Sequence, residues 1–407
     1  MLTNRAIEDF CSQYHYDVRE SGNGRWIDQK CAADVVTVIA DCICNYEEQN
    51  PGGLFTSADI WHSDYAVENV ETIFKKPGVE SGAAKREYDK FFQQPMELLA
   101  YARVLEKVKQ GSRNFYRVMD GTVLEYIALR ERNALFFLKV YIEKVLTDSG
   151  LYPVFQDFFT NQNTQTYFAA KRAFSDFTVR YTKINGEVEC NRIFIKVLNP
   201  LAYFRNLRGT EKGRISEQPI TYDMLMYNRN NFRDVYRDKP KGVTRKEYAA
   251  THPVQINEAY YHYQSTKAKR FLRRFNDQNR DGQTEHLEPA HLADRAIHMH
   301  HIFPEAAYPE ICGCLENIIA LTPTQHLNYA HPDGHTQEIN RQYQYLLLLS
   351  KADRIRENLT APGAERIYEF SNLLHVLHVG LEEDSVLEIA DMDFVQVVNA
   401  INIHYAA

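Results

Sequence analysis

A chain of 407 residues, 44% hydrophobic and 25% charged, has room for two or three domains with buried cores and the composition of an ordinary globular protein. The formal net charge of −7 argues weakly against a nucleic-acid partner, and the lack of an apolar run of about 18 residues excludes a membrane span. The N-terminal MLTNRAIEDFCSQ has no apolar signal core, and the seven cysteines are odd in number and scattered, so a reducing cytoplasm is expected rather than a disulfide framework.

Val35, Val38, Ile39 and Cys42 recur at helical spacing and predict a helix over 32–45, broken by Asn50-Pro51-Gly52-Gly53. Ser57 is a candidate N-cap for a second helix running to Phe74, and a third is expected over 84–109. Gln110-Gly111-Ser112 reads as a turn and Asn114–Met119 as a short strand. Several helices followed by a small β element give the helical 1–120 region the outline either of a winged-helix DNA-recognition domain or of an α-rich domain whose helices simply pack together. Residues 123–160 read as further helix, and Arg192–Val197 alternates like a strand inside a mixed region 121–200.

The charge is unevenly distributed. Residues 201–280 carry 17 Lys/Arg against 8 Asp/Glu, a local +9, which leaves −16 for the rest of the chain. A basic stretch in an acidic protein is where a polyanion would sit, so 201–290 is expected to contact DNA. Lys267, Lys269, Arg270, Arg273 and Arg274 are the candidate phosphate contacts, with Tyr260, Tyr261, Tyr263, Phe271 and Phe275 interleaved.

The segment that carries chemistry is 298–335, HMHHIFPEAAYPEICGCLENIIALTPTQHLNYAHPDGH. On a strand, adjacent His300 and His301 point to opposite faces, so one imidazole can bind a metal while the other meets a water or a phosphate. Asn317 stands directly before the apolar strand IIAL, where an amide can tie a loop. Pro323 suits the first turn of a helix that carries His326. The Cys42/Cys44 and Cys312/Cys314 pairs are spaced by one residue, too tight for the usual paired ligands of a structural zinc site.

In its His-His pair before Ile-Phe-Pro, its Asn317 before a strand and its helix His326, this segment resembles the HNH (ββα-metal) nuclease superfamily. The resemblance covers about forty residues and is greatest to HNH type II restriction endonucleases. It implies a small ββα-metal module at 291–345 with one divalent ion, Mg²⁺ being expected, bound by His300 and His326. By the same resemblance His301 is the general base and Asn317 positions the active-site loop. Many His-rich members carry another ligand four residues after the helix histidine, but position 330 is alanine. The third ligand is therefore His331 or a water, with His335 the weaker alternative.

The expected fold is α+β: a mainly helical N-terminal region, the ββα module, and a helical C-terminal region at 346–407. The only Pro-Asp pair, Pro332-Asp333, lies inside the HNH segment, so no PD-(D/E)xK site is indicated. No HExxH helix, Walker-A loop or Rossmann fingerprint occurs, and no nucleotide cofactor is expected. The expected function is cleavage of double-stranded DNA by a homodimeric restriction enzyme. A homing or toxin-type nuclease, or a non-catalytic DNA-binding regulator, are the alternatives.

Overall fold

A computed structural model describes residues 4–74, 76–80, 84–227, 240, 243, 251, 258–288, 294–331, 339–363 and 365–406. The fold is α+β, helices with small two-stranded antiparallel sheets, in two compact units, Leu2–Asn257 and Glu258–Ala407. No described helix is long and apolar enough to cross a membrane.

The first unit opens with α1 (Asn4–Ser12), α2 (Val18–Ser21) and α3 (Ala33–Gln49). Val35, Val36, Val38, Ile39, Ala40, Cys42 and Ile43 are all buried, which makes α3 a central helix rather than a one-sided surface one. The expected second helix is split. Thr56, not Ser57, caps α4 (Ser57–Trp61) in a reciprocal capping box with Asp59, and α5 (Asp64–Phe74) follows after a turn at His62-Ser63.

The expected helix to residue 109 also ends early. After α6 (Ala84–Tyr101) the chain takes a left-handed step at Arg103 (φ 67°) and enters β1 (Leu105–Gln110). Its alternating Leu-Glu-Lys-Val-Lys-Gln pairs with β2 (Arg113–Val118), from Leu105↔Val118 to Gln110↔Arg113 around Gly111. Next come α7 (Gly121–Leu129), α8 (Glu131–Asp148) and α9 (Tyr152–Asn161), separated by extended Arg130 and by left-handed Gly150. Both α7 and α8 pack on α3, so no domain boundary falls at 120/121.

After α10 (Thr164–Tyr181), the expected strand at Arg192–Val197 lies inside α11 (Glu187–Tyr203). Ile193, Phe194, Val197, Leu198 and Leu201 form one buried helical stripe, and over six residues this period-3.6 pattern passes for alternation. A hairpin that the sequence pattern did not reveal, β3 (Arg208–Glu211) with β4 (Arg214–Pro219), is clasped by Asn199. Its Nδ2 donates to Thr210 O at 3.0 Å and its Oδ1 accepts from Thr210 N at 2.8 Å. The unit's last described helix is the short α12 (Tyr222–Leu225).

The second unit begins with α13 (Glu258–Asn279), so the expected basic region 201–290 spans two units. Then come β5 (His298–His301), β6 (Ile318–Leu321), a π-helical turn Gln325–Ala330, α14 (Arg341–Thr360), α15 (Phe370–Leu381) and α16 (Phe394–Ala406). The expected 345/346 boundary falls inside α14, which packs on α15, α16 and the π-turn. β5 and β6 are antiparallel, from His298↔Leu321 to His301↔Ile318.

A buried charge network fixes β6. Glu285 is fully buried and exchanges backbone and side-chain bonds with Ala320 (Glu285 N to Ala320 O, Ala320 N to Oε2, both 2.9 Å). Its carboxylate also accepts from Arg280, from Lys351 Nζ at 3.1 Å and from Tyr368 OH at 3.0 Å. Burial alone would raise this carboxyl, but Lys351 and Arg280 outweigh it and hold it down at about 2.

Candidate active site

On β5 the two-residue period puts His298 and His300 on one face and His301 on the other. The helix after β6 brings His326 and His331 to the first face. The rings of His300, His326 and His331 form a triangle with centroids 4.8 to 5.1 Å apart, and each offers a nitrogen within 4.8 Å of the others. His300 Nε2 and His326 Nδ1 are buried and make no hydrogen bond among the described residues. Burial, and then the neighbouring imidazoles, hold His300 well below its usual range; burial and then His298 and His331 bring His326 to about 4. His300 and His326, both held neutral and each with a buried nitrogen lacking a hydrogen bond, converge with His331 and fit a divalent ion, which would satisfy those two nitrogens. No carboxylate or thiol among the described residues joins them.

The π-turn explains how His331 reaches the triangle. In an α-helix the residue five beyond His326 is rotated about 140° away from it. Across Gln325–Ala330 the ladder is instead i→i+5, which stacks residues five apart, and His331 leaves the turn extended (φ −115°, ψ 108°). Gln325 holds the entry to this turn. Its Oε1 accepts from Thr284 Oγ1 at 2.6 Å and Thr322 N at 3.1 Å, and its Nε2 donates to His286 O at 2.9 Å.

His301 is set differently. Its Nε2 lies 2.8 Å from Cys312 O. A carbonyl only accepts, so the proton is on Nε2 and Nδ1 is left as the basic nitrogen. Burial, then the ammonium of Lys269, hold this imidazole down to about 4, so it is neutral at pH 7.

Asn317, fully buried, clamps the loop between the strands. Its Oδ1 accepts from Phe303 N at 2.9 Å and its Nδ2 donates to Phe303 O at 3.0 Å. Phe303 in turn packs so closely on Gly380 of α15 that a Cβ there would lie 2.4 Å from the ring.

The five basic candidates separate on α13. Arg270, Arg273 and Arg274 are exposed on one face. Lys267 is buried, 3.4 Å from Tyr263 OH, and belongs to the core rather than to a DNA-facing surface. Lys269 is half-buried and lies close enough to His300, His301 and His326 to depress all three. It therefore belongs to the site itself. His335 and most of residues 228–257 lie outside the described residues.

Neither protein-family models, curated proteins nor solved structures give a match to this chain.

Two residues at the site are not among those the sequence singled out. His298 stacks on His326 with centroids 4.6 Å apart, and its position two residues before His300 was a legible signal of a shared face. Glu305 lies 3.9 Å from His301 Nδ1, in a loop whose path the sequence does not reveal.

Proposed function

We propose that the Glu258–Ala407 unit is a metal-dependent DNA endonuclease of the HNH (ββα-metal) kind, and that the chain acts as a restriction enzyme. The observation that carries this reading is the pairing of a three-imidazole cluster with a neutral histidine whose basic nitrogen is left available.

His300, His326 and His331 would hold the ion. When bound, it supplies Lewis-acid stabilisation of the charge that develops on the phosphate and the leaving oxygen. An all-imidazole donor set suits zinc, nickel or cobalt better than Mg²⁺, which prefers oxygen ligands, so we assign a transition metal in preference to the expected magnesium. His301 takes the proton of the attacking water at Nδ1, while Cys312 O keeps the proton on Nε2 and fixes the ring. Asn317 holds the backbone of Phe303 and so the loop that follows the base. Lys269 brings a positive charge to a site that must receive a phosphodiester. We assign sequence recognition to the Leu2–Asn257 unit, with the β1–β2 hairpin as a wing, and expect a homodimer that cuts both strands.

The test is incubation of methylated and unmethylated supercoiled plasmid with the protein and Mg²⁺, Mn²⁺, Ni²⁺ or Zn²⁺. Discrete bands support restriction, and a smear supports a toxin-type nuclease. No cleavage with any ion leaves a non-catalytic DNA-binding protein and overturns the nuclease reading.

A further inference from the structure

We infer that Glu305 is a second residue that holds the attacking water, acting together with His301. The inference deepens the nuclease reading and rests on it. Because His301 Nε2 is committed to Cys312 O, the water must approach Nδ1. The group facing Nδ1 there is Glu305, whose Oε2 is 3.9 Å away. That distance is too long for a direct hydrogen bond but suits one shared molecule. A water about 2.8 Å from both atoms subtends roughly 90°, close to the angle between its own two hydrogens.

The surroundings hold the carboxylate at this spot. Ser265, almost fully buried on α13, donates from Oγ to Glu305 Oε2 at 2.6 Å. An ionised carboxylate oxygen has a further lone pair, so it still accepts from the water. His262 Nδ1 lies 3.5 Å from Oε1 on the outer side, on a largely exposed ring. Lys269 feels the charge of Glu305 but makes no hydrogen bond or ion pair among the described residues. Glu305 is thus fixed by a serine rather than neutralised by a close cation.

In the reaction the water donates one hydrogen to His301 Nδ1 and the other to Glu305 Oε2, which leaves its oxygen lone pairs for phosphorus. The new P–O bond forms as His301 takes its proton. The bond to the leaving oxygen breaks, its electron pair stays on that oxygen, and a solvent proton completes the hydroxyl. Glu305 orients the second hydrogen throughout and takes no proton.

The experiment compares Glu305→Leu, which removes the acceptor, with Glu305→Gln, whose amide oxygen still accepts. Single-turnover cleavage, KM, DNA affinity, calorimetric binding of Zn²⁺ alone and thermal melting are measured for each. Glu305→Leu is expected to lower kcat about 10- to 100-fold, as misplacing a reacting group by about an ångström does. KM, DNA affinity and Zn²⁺ affinity should stay within about threefold, and Glu305→Gln should recover most of the rate. In a His301→Ala background, Glu305→Leu should cost nothing further, because both residues act on one water. If the leucine variant melts early, Ser265→Ala decides instead, with a smaller fall in kcat expected at unchanged KM. The inference is overturned if wild type cuts and Glu305→Leu cuts equally well, if glutamine and leucine lose the same activity, or if the loss adds to that of His301→Ala. A wild-type protein that cuts nothing overturns the nuclease reading, and this inference with it.

Discussion

At the scale of single residues the site, read as the proposed nuclease centre, makes two separable demands, on a base and on ligands. A general base contributes about 10²–10⁴-fold to rate and little to affinity for the substrate. His301→Ala should therefore lower the single-turnover rate of plasmid cleavage about 10²–10⁴-fold while DNA binding stays within a few-fold of wild type, and a variant that retains a third of the wild-type rate would refute the assignment. A ligand behaves oppositely. Removing His331, which lies within 4.8 Å of two other donor nitrogens, should weaken metal binding about 10-fold or more, read by titration calorimetry without DNA. Equal affinity for wild type and His331→Ala would hand the third position to a water. Local order made much of this legible: His300 and His301 are adjacent, and Asn317 abuts an apolar strand. Glu285 and Glu305 were not legible, because their partners Lys351, Arg280 and Ser265 are distant or carry no motif, and only the folded chain brings them together.

At the scale of elements, period-based expectations held for the long helix over 32–45 and for the short strand at Asn114–Met119, which is β2, and failed where a helix was interrupted or where a buried helical stripe passed for alternation. The helix expected at 32–45 is α3, whereas the six residues Arg192–Val197 carried too few positions to separate a period of 2 from 3.6. The π-turn at Gln325–Ala330 lies beyond any such pattern, since it amounts to one extra residue in an α-helical turn. Removing that extra residue tests its role. Asn328 is exposed and makes no side-chain hydrogen bond among the described residues, so deleting it should let the turn relax to i→i+4 and move the second histidine to four residues after His326. Residues four apart share a helix face. The deletion should thus keep metal affinity within a few-fold of wild type, whereas an alanine inserted after Asn328 should lose it about as fully as His331→Ala. Calorimetry on the two length variants decides the matter: a deletion as damaging as His331→Ala would show that the π-turn is not what delivers the ligand.

At the scale of the molecule, charge governs the stability of the Glu258–Ala407 unit and would govern its proposed meeting with DNA. Glu285 is held near 2, below its ordinary 4.5, so its contribution is complete above about 4.5 and is lost as pH falls toward 2. Lys351 points the other way, lowered by burial to about 8 despite Glu285, so the pair alone is worth less than the carboxylate shift implies. The carboxylate direction prevails, because Arg280, Tyr368 and the Ala320 N–H also donate to it. Glu285→Gln should cost about 3–5 kcal/mol, as leaving a buried cation unpaired does, and should flatten the acid limb of stability in urea titrations. On the outside, a chain of net charge −7 repels a polyanion at long range, so the proposed DNA contact needs a local basic patch. The exposed face of α13 offers Arg270, Arg273 and Arg274, while buried Lys267 cannot reach a phosphate without leaving the core. Each phosphate contact contributes about 0.9 to the slope of log affinity against log salt. Replacing the three arginines by glutamine should therefore shrink that slope by about 2.7 between about 50 and 200 mM salt, measured by fluorescence anisotropy on a duplex. Lys267→Met should leave the slope alone. An unchanged slope in the arginine variant would remove α13 from the DNA-binding surface, and a slope that falls only in the Lys267 variant would mean that the helix faces DNA with its other side.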